Sequence, residues 1–346
     1  MATQVILGIE SSCDETSAAL VGVEGEHLRV LSCSTASQDD LHEEYRGVVP
    51  EIASRAHLDR MIPVVRRACA EAGVKLGEIH GVAAGHRPGL IGSLLVGLST
   101  AKSLAWSLGV PFVGVDHVAA HLVAALLDRS AVEWPAIGLV ASGGHTSLFR
   151  MRSPLEFDLI GATIDDAAGE AFDKAASILE LGYPGGARID AIAESGDATV
   201  LDLPMTRLKG LDFSFSGVKT ALSLAAREPQ YLGRSADLAA SFRKVVVGQI
   251  IRNLSLALDE NPTPSCLIGG GVAANTLLRS EALRVCGERR VELRIAEHRW
   301  CTDNAAMIAG AGALRIVRGE CDGWDLAAQP LSAVARGMRG PQGRKS

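Results

Sequence analysis

The sequence contains no CxxC pair. Its seven cysteines, Cys13, Cys33, Cys69, Cys266, Cys286, Cys301 and Cys321, are odd in number and scattered. That excludes a disulfide framework and a zinc knuckle, and it points to a reducing compartment. No secretory leader is expected either: the chain runs from Val5 straight into a strand pattern, without a basic stretch followed by an apolar one. No apolar run stands out as long enough for a membrane-spanning helix. The expectation is a cytoplasmic protein with no membrane attachment. Positive charge is also short, with Lys and Arg at 34 against Asp and Glu at 40, a formal net charge of −6. A protein whose whole surface grips nucleic acid is thereby excluded, though a local basic patch is not. What the chain does have is length and apolar content: 346 residues, 47% hydrophobic, enough for two domains with a sizeable core.

The stretch around which the rest is arranged is Asp116-His117-Val118-Ala119-Ala120-His121, at the start of a helix expected over residues 117–128. Histidines four apart project from one helix face and can reach one metal ion. The alternative is two incidental helix residues.

Around that stretch, strands alternate with helices, which implies an α/β protein. Residues 5–10 and 18–23 read as strands joined by the polar turn Ser11-Ser12-Cys13-Asp14-Glu15-Thr16-Ser17. Residues 136–141 and 148–151 repeat the layout around Ser142-Gly143-Gly144-His145-Thr146-Ser147. This internal duplication marks a second lobe, and two facing turns of small and hydroxyl residues could clamp a nucleotide. Helices are expected over 51–72, 94–108 and 237–258, and strands over 81–84, 110–115 and 266–268. The first of these helices carries Arg55, His57, Arg60, Arg66 and Arg67 on its polar face. Asp165 opens a further helix, with Asp166, Glu170 and Asp173 on or near one face, and Tyr183-Pro184-Gly185-Gly186 ends it. Residues 211–220 alternate apolar and polar and suit either a binding loop or an edge strand. Gly269-Gly270-Gly271 leads through Asn275 into a helix, a turn suited to phosphate. It is not GxGxxG, so a dinucleotide fold is rejected. Asp303 reads as the N-cap of a last helix running to about residue 317. After Gly337 the basic, glycine-containing tail is expected to be disordered.

Taken together, the motifs resemble the bacterial branch of the tRNA adenosine threonylcarbamoyltransferase family, once labelled sialoglycoprotein endopeptidases. The matching stretches are GIESSCDETS from Gly8, GVVPEIASRAH from Gly47, HVAAH from His117, SGGHT from Ser142 and DDAAGEAFDK from Asp165. They continue with YPGG from Tyr183, LDFSFSGVKT from Leu211, GGVAAN from Gly270 and CTDNAAMIA from Cys301. They follow one another in order over residues 5–317. The resemblance implies an actin- and Hsp70-like (ASKHA) two-lobed α/β fold with duplicated sheet-and-helix lobes. The lobes would comprise residues 1–129 with 300–330, and residues 130–299, followed by a tail at 331–346. It also implies one divalent metal, Fe(II) with Zn(II) as the alternative, held by His117, His121 and Asp303. The implied site for threonylcarbamoyl-adenylate, or ATP or AMP, is Val140, Ala141, Ser142, Gly143, Gly144, Asp173, Gly186, Asp190 and Asn275. One departure stands out. The family usually has Gly-Pro-Gly-Leu where this chain has Arg87-Pro88-Gly89-Leu90, and arginine does not easily take a positive φ.

The activity so implied is transfer of a threonylcarbamoyl group from the adenylate to the N6 amine of the adenosine 3′ of the anticodon in tRNAs reading ANN codons, with release of AMP. Asp14 and Glu15, at the tip of the first turn, are candidates for taking the amine proton. tRNA, a smaller paralogous subunit, an ATPase subunit and a separate adenylate synthase are the implied partners. Metallopeptidases of the HExxH type place a glutamate between their histidines; Val118, Ala119 and Ala120 stand there instead. A small-molecule kinase or a nucleotide-gated scaffold would need neither histidine.

Overall fold

A computed structural model describes residues 3–332, apart from 43 and 46. The expected tail therefore lies, from residue 333 on, outside the described residues. The first sheet comprises β1 (Gln4–Glu10), β2 (Glu15–Glu24), β3 (His27–Ser37), β4 (Gly81–Arg87) and β5 (Phe112–Asp116), in the order β3-β2-β1-β4-β5. The second comprises β6 (Ala136–Ala141), β7 (Thr146–Ser153), β8 (Glu156–Ala162), β9 (Ser265–Gly269) and β10 (Glu292–Ile295), in the order β10-β9-β6-β7-β8. These are one topology used twice. In each sheet the first three strands form an antiparallel meander, and the last two join the first strand in parallel. The duplication expected from the two hairpin turns is thus present throughout both sheets. Central strands such as β1 and β6 are buried on both faces, which is why they read as continuous apolar runs rather than alternating ones.

The helices are α1 (Asp39–His42), α2 (Pro50–Ala72), α3 (Ile91–Leu108), α4 (His117–Ala124), α5 (Ala168–Ile178), α6 (Gly185–Ala193), α7 (Ser216–Ala225), α8 (Ser235–Glu260), α9 (Thr276–Glu288), α10 (His298–Cys301) and α11 (Ala305–Val317). Several depart from the sequence expectation. α4 ends at Ala124 rather than residue 128. Asp128 takes a positive φ of 58°, and its Oδ1 accepts from the Val30 N–H at 2.8 Å, so the chain turns there. α3 begins three residues earlier than expected and is, contrary to expectation, long and apolar enough by length and composition to cross a membrane. It packs instead on β4 and α2, burying Leu94, Leu98, Ala101 and Ala105. Asp165 and Asp166 precede α5 rather than opening it. Tyr183-Pro184 leads into α6 rather than closing α5.

Two contacts set the positions of the later site. α11 lies against β1 so closely that a Cβ at Gly8 would run into the Ala305 carbonyl. The last helix of the chain is thereby fixed on the first sheet, with the residues before it beside the first hairpin turn. α4, leaving β5, packs across onto the second sheet: Val118 and Leu122 join Val140, Phe149 and Leu267 in one buried cluster. A Cβ at Gly269 would strike the His121 carbonyl. α4 is thus wedged between the sheets, and its first turn faces the cleft between them.

Candidate active site

The metal triad assembles from two distant segments. β5 ends at Asp116, whose Oδ1 accepts from the Val118 N–H at 3.1 Å and caps α4. His117 and His121 follow on the same face, with ring centroids 4.7 Å apart. Asp303 enters from the bend before α11. It is not that helix's cap, as the sequence suggested: Asn304 is, accepting from the Met307 N–H. The cap next door leaves the Asp303 carboxylate free to turn inward. Its Oδ1 lies 3.3 Å from Nε2 of both His117 and His121.

The donor set fits a cation. The three ligand atoms lie within 4.8 Å of one another, and ligands sharing a tetrahedral ion at about 2.1 Å stand roughly 3.4 Å apart. His117 Nδ1 is 3.1 Å from Glu10 Oε2 and 3.2 Å from Ser12 Oγ. A carboxylate only accepts, so Nδ1 carries the hydrogen and Nε2 presents its lone pair to the centre. His121 is fully buried, and neither ring nitrogen has a hydrogen bond among the described residues. Buried polar atoms are rarely left so, and a cation would engage Nε2. The charges are coupled. Burial opposes charge on His117, but the Asp303 and Glu10 carboxylates outweigh it and raise its pKa well above the ordinary imidazole value. Against its own burial, Asp303 is held well below the usual carboxylate range by His117 and then His121. Burial, then the charge of His117, lowers the pKa of His121.

The triad opens at one end of a cleft of about 1870 Å³. Asp14, Glu15, Ser142, Gly143, Gly144, Asp173, Gly186, Asp190 and Asn275 all line it with His117 and Asp303. Val140 and Ala141 do not; they are buried within β6. Five glycines of the cleft wall, Gly47, Gly143, Gly144, Gly186 and Gly271, share one property. A Cβ at any of them would meet nothing within 4 Å, and none has a positive φ. Neither packing nor backbone conformation demands glycine there, whereas close approach of a ligand to the backbone would.

The acidic residues divide by partner. Asp173 Oδ1 accepts from the Gly185 N–H at 2.8 Å, holding the first turn of α6. Burial raises its pKa, against the N–H groups of Gly185 and Gly186. Asp190 Oδ1 accepts from Asn275 Nδ2 at 2.8 Å, and its Oδ2 from the Thr276 N–H at 2.9 Å. Asn275 Oδ1 in turn accepts from the Leu278 N–H as the cap of α9. Glu15 is pushed well above the carboxylate range by burial, then by Asp303 and Asp14. His145 is driven down to about 4 by burial, then by His117 and His121, and stays neutral at ordinary pH.

Some expectations do not survive. Asp166 is drawn away from Asp173 by Lys174 and Lys219, at 2.8 and 2.6 Å. Lys219 is therefore paired. His57 is not on a solvated face: it is buried, with Nδ1 2.7 Å from Thr16 Oγ1 and Nε2 3.0 Å from the Cys13 carbonyl. Phe213 and Phe215 are fully buried and stacked, so residues 211–220 do not offer aromatic rings to a ligand. Arg87 has no positive φ. It closes β4 and pairs with Asp116 at 3.1 Å. Sequence reasoning missed Glu10 and Ser12, which orient His117, although a glutamate ending an otherwise apolar strand was a visible signal. It also missed Arg243.

A family model described as tRNA N6-adenosine threonylcarbamoyltransferase matches residues 29–310. A protein of that name from Symbiobacterium thermophilum is 48% identical over 311 residues, covering 89% of this chain and 90% of its own. Another from Syntrophus aciditrophicus is 45% identical over 321 residues, covering 92% and 94%. Among solved structures, HypF of T. kodakarensis superposes with a TM-score of 0.63 at 13% identity, over 92% of this chain and 48% of its own. Component A of (R)-2-hydroxyglutaryl-CoA dehydratase from Acidaminococcus fermentans does so with a TM-score of 0.51 at 12% identity, over 90% and 97%. These two share the fold alone, the duplicated two-lobed actin- and Hsp70-like class. Matched over most of its length by sequences of nearly equal extent, the chain belongs to the tRNA N6-adenosine threonylcarbamoyltransferase family.

Proposed function

We propose that the cleft binds threonylcarbamoyl-adenylate with its carbamoyl end toward His117, His121 and Asp303 and its nucleotide end toward Asn275 and α9. The observation that carries this reading is the set of five cleft glycines with open space above them, in the same cavity as a metal-binding triad. Backbone N–H groups at Ser142, Gly143 and Gly144 suit phosphate and carbamoyl oxygens. Gly186 leaves room beside them, and Asp173 and Asp190 hold the helix starts that frame the nucleotide. Val140 and Ala141 support the turn from within the sheet. We place the boundaries between the lobes at 129/130 and 299/300, so that the cleft and α4 lie between them.

In the reaction, the N6 amine of the tRNA adenosine attacks the carbamoyl carbon. A new N–C bond forms, the bond from that carbon to the adenylate phosphate oxygen breaks, and AMP leaves with the electron pair. Asp14 and Glu15, on the cleft wall, are our candidates for taking the amine proton, Glu15 only once it has given up its own. A divalent cation, iron(II) or zinc(II), would supply Lewis acidity for a carbonyl or phosphate oxygen when bound. His117, His121 and Asp303 would hold it, and Glu10 fixes the His117 ring. Reaching the adenosine requires an unstacked anticodon loop. A cytoplasmic setting follows from this substrate. The paralogous subunit and the ATPase belong to the same reading. The exposed side chains of Leu58 and Ile62 on α2 and Ile91, Leu95 and Trp106 on α3 give the first of them an apolar surface.

The test is transfer of labelled threonine to tRNA with the adenylate supplied, alongside metal analysis. A His117→Ala/His121→Ala variant is expected to stay folded and lose both metal and transfer. Full metal retention in that variant would sink the triad; absence of transfer by metal-loaded wild type with its partner subunits would sink the reading of the cleft.

A further inference from the structure

Helix α8 contributes no residue to the sequence motifs, yet it sends one charged side chain to the back of residues that line the cleft. Arg243 is only 9% exposed. Its Nη1 reaches Asp190 Oδ1 at 2.8 Å, the Asp190 carbonyl at 3.2 Å, Glu194 Oε1 at 2.6 Å and Thr276 Oγ1 at 3.4 Å. Three elements meet at this one nitrogen: α8, the last turn of α6 and the first residue of α9. The Asp190 carboxylate also holds Asn275 Nδ2 and the Thr276 N–H.

We propose that Arg243 is the positioning residue for the nucleotide end of the cleft. It fixes Asp190, and through Asp190 the amide of Asn275 and the N-terminus of α9. The proposal rests on the assignment of that end to the adenylate.

The argument is one of charge and geometry. Asp190 and Glu194 stand one helical turn apart on α6, both facing the nucleotide end of the cleft. Two uncompensated carboxylates there would repel a phosphate-bearing ligand. One buried guanidinium bridges the pair, halves its net charge and commits the Asp190 oxygens. Asp190 Oδ1 accepts from both Arg243 and Asn275, and Oδ2 from the backbone of Thr276. Little accepting capacity remains for a ligand, so Asp190 acts by orienting neighbours. Asn275 is thereby held at both ends of its amide, Oδ1 on the α9 cap and one Nδ2 hydrogen on Asp190. The second Nδ2 hydrogen is left for the cleft. If Arg243 is lost, Asp190 keeps its contacts to Asn275 and Thr276 but loses its charged partner, so the carboxylate and the Asn275 amide it holds are less firmly placed.

The experiment compares wild type, Arg243→Met, Arg243→Lys and the double variant Arg243→Met/Glu194→Gln in the metal-loaded chain. Affinity for AMP and for a stable threonylcarbamoyl-adenylate analogue is measured by calorimetry, metal content by elemental analysis, and kcat and KM with partners present. Arg243→Met is expected to weaken nucleotide affinity by about tenfold or more, equivalent to about 1.4 kcal/mol. Metal content should be unchanged, and KM should rise by more than kcat falls. Lysine, whose single ammonium can reach the same acceptors, should recover part of the loss. The double variant, with one carboxylate charge removed, should recover part of it by a different route and serves if Arg243→Met folds poorly. Wild-type binding of AMP with an unchanged affinity in folded Arg243→Met, or a double variant that binds no better than a weakened Arg243→Met, overturns the role of Arg243 alone. Loss of metal along with nucleotide affinity would reduce that role to general structure and also overturn it. Failure of wild type to bind either nucleotide overturns the assignment of the cleft and this proposal with it.

Discussion

His117 and His121 were legible because a four-residue spacing on a helix has a geometric meaning that survives without coordinates. Asp303 was legible only through resemblance, since its own sequence context predicts a helix cap. The structure gives the cap to Asn304 and leaves Asp303 for the triad. Glu10 was missed, although a charge in a strand buried on both faces needs a partner. That partner is His117, at 3.1 Å from the carboxylate. Loss of such an orienting carboxylate commonly costs about 10–100-fold in metal affinity. Glu10→Gln keeps the shape and an accepting oxygen but removes the charge. It is expected to weaken metal binding at the low end of that range, and Glu10→Ala at the high end. Competition with a chelator measures both. Equal metal affinity in Glu10→Ala and wild type would remove Glu10 from the centre.

At the scale of elements, the hairpin turns, the strand runs and most helix cores could be read from periodicity. Helix ends could not. α5 starts three residues after Asp165 because Asp165 bonds Ser214 Oγ and the Phe215 N–H, a contact across nearly fifty positions that no local pattern reveals. Phe213 and Phe215 look like a binding loop in sequence because alternation says nothing about which face has a neighbour. Glycines show the same ambiguity. In sequence Gly144 and Gly169 are equivalent; in the structure they are opposites. A Cβ at Gly144 meets nothing within 4 Å, whereas one at Gly169 would lie 2.6 Å from the Ser142 carbonyl. Gly144→Ala is therefore expected to leave stability within about 0.5 kcal/mol while lowering adenylate affinity. Gly169→Ala should cost about 1–3 kcal/mol through overpacking. Thermal unfolding paired with calorimetry separates the two. Unchanged adenylate affinity in Gly144→Ala would mean that no ligand approaches that backbone.

For the whole molecule, the duplication was legible from two similar hairpins, but the return of α11 to the first sheet was not. That return brings Asp303 to histidines nearly two hundred positions earlier. The remaining question at this scale is how a chain of net charge −6 holds a polyanion. Long-range attraction is weak unless cations are gathered near the place where the RNA must enter. Lys219 is committed to Asp166, and Arg60 donates to the Ser37 carbonyl. Arg55, Arg66, Arg67, Arg207 and Lys209 remain exposed. They differ in position. Arg55 lies in the second turn of α2, just after Gly47 and Val48, which line the cleft. Arg66 and Arg67 lie eleven and twelve residues further on, roughly 16 Å or more along the helix. A tRNA whose anticodon loop enters the cleft passes Arg55 first. Arg55→Ala is therefore expected to reduce the magnitude of the log–log salt slope of tRNA binding by roughly 0.7–0.9, one phosphate contact. The Arg66→Ala/Arg67→Ala double variant should leave the slope unchanged, and Arg207→Ala/Lys209→Ala should do the same unless the loop before α7 also meets the RNA. Binding measured across a salt series for the three variants decides between these arrangements. A slope altered by the Arg66/Arg67 pair and not by Arg55 would mean that the RNA lies along the outer length of α2, away from the cleft mouth.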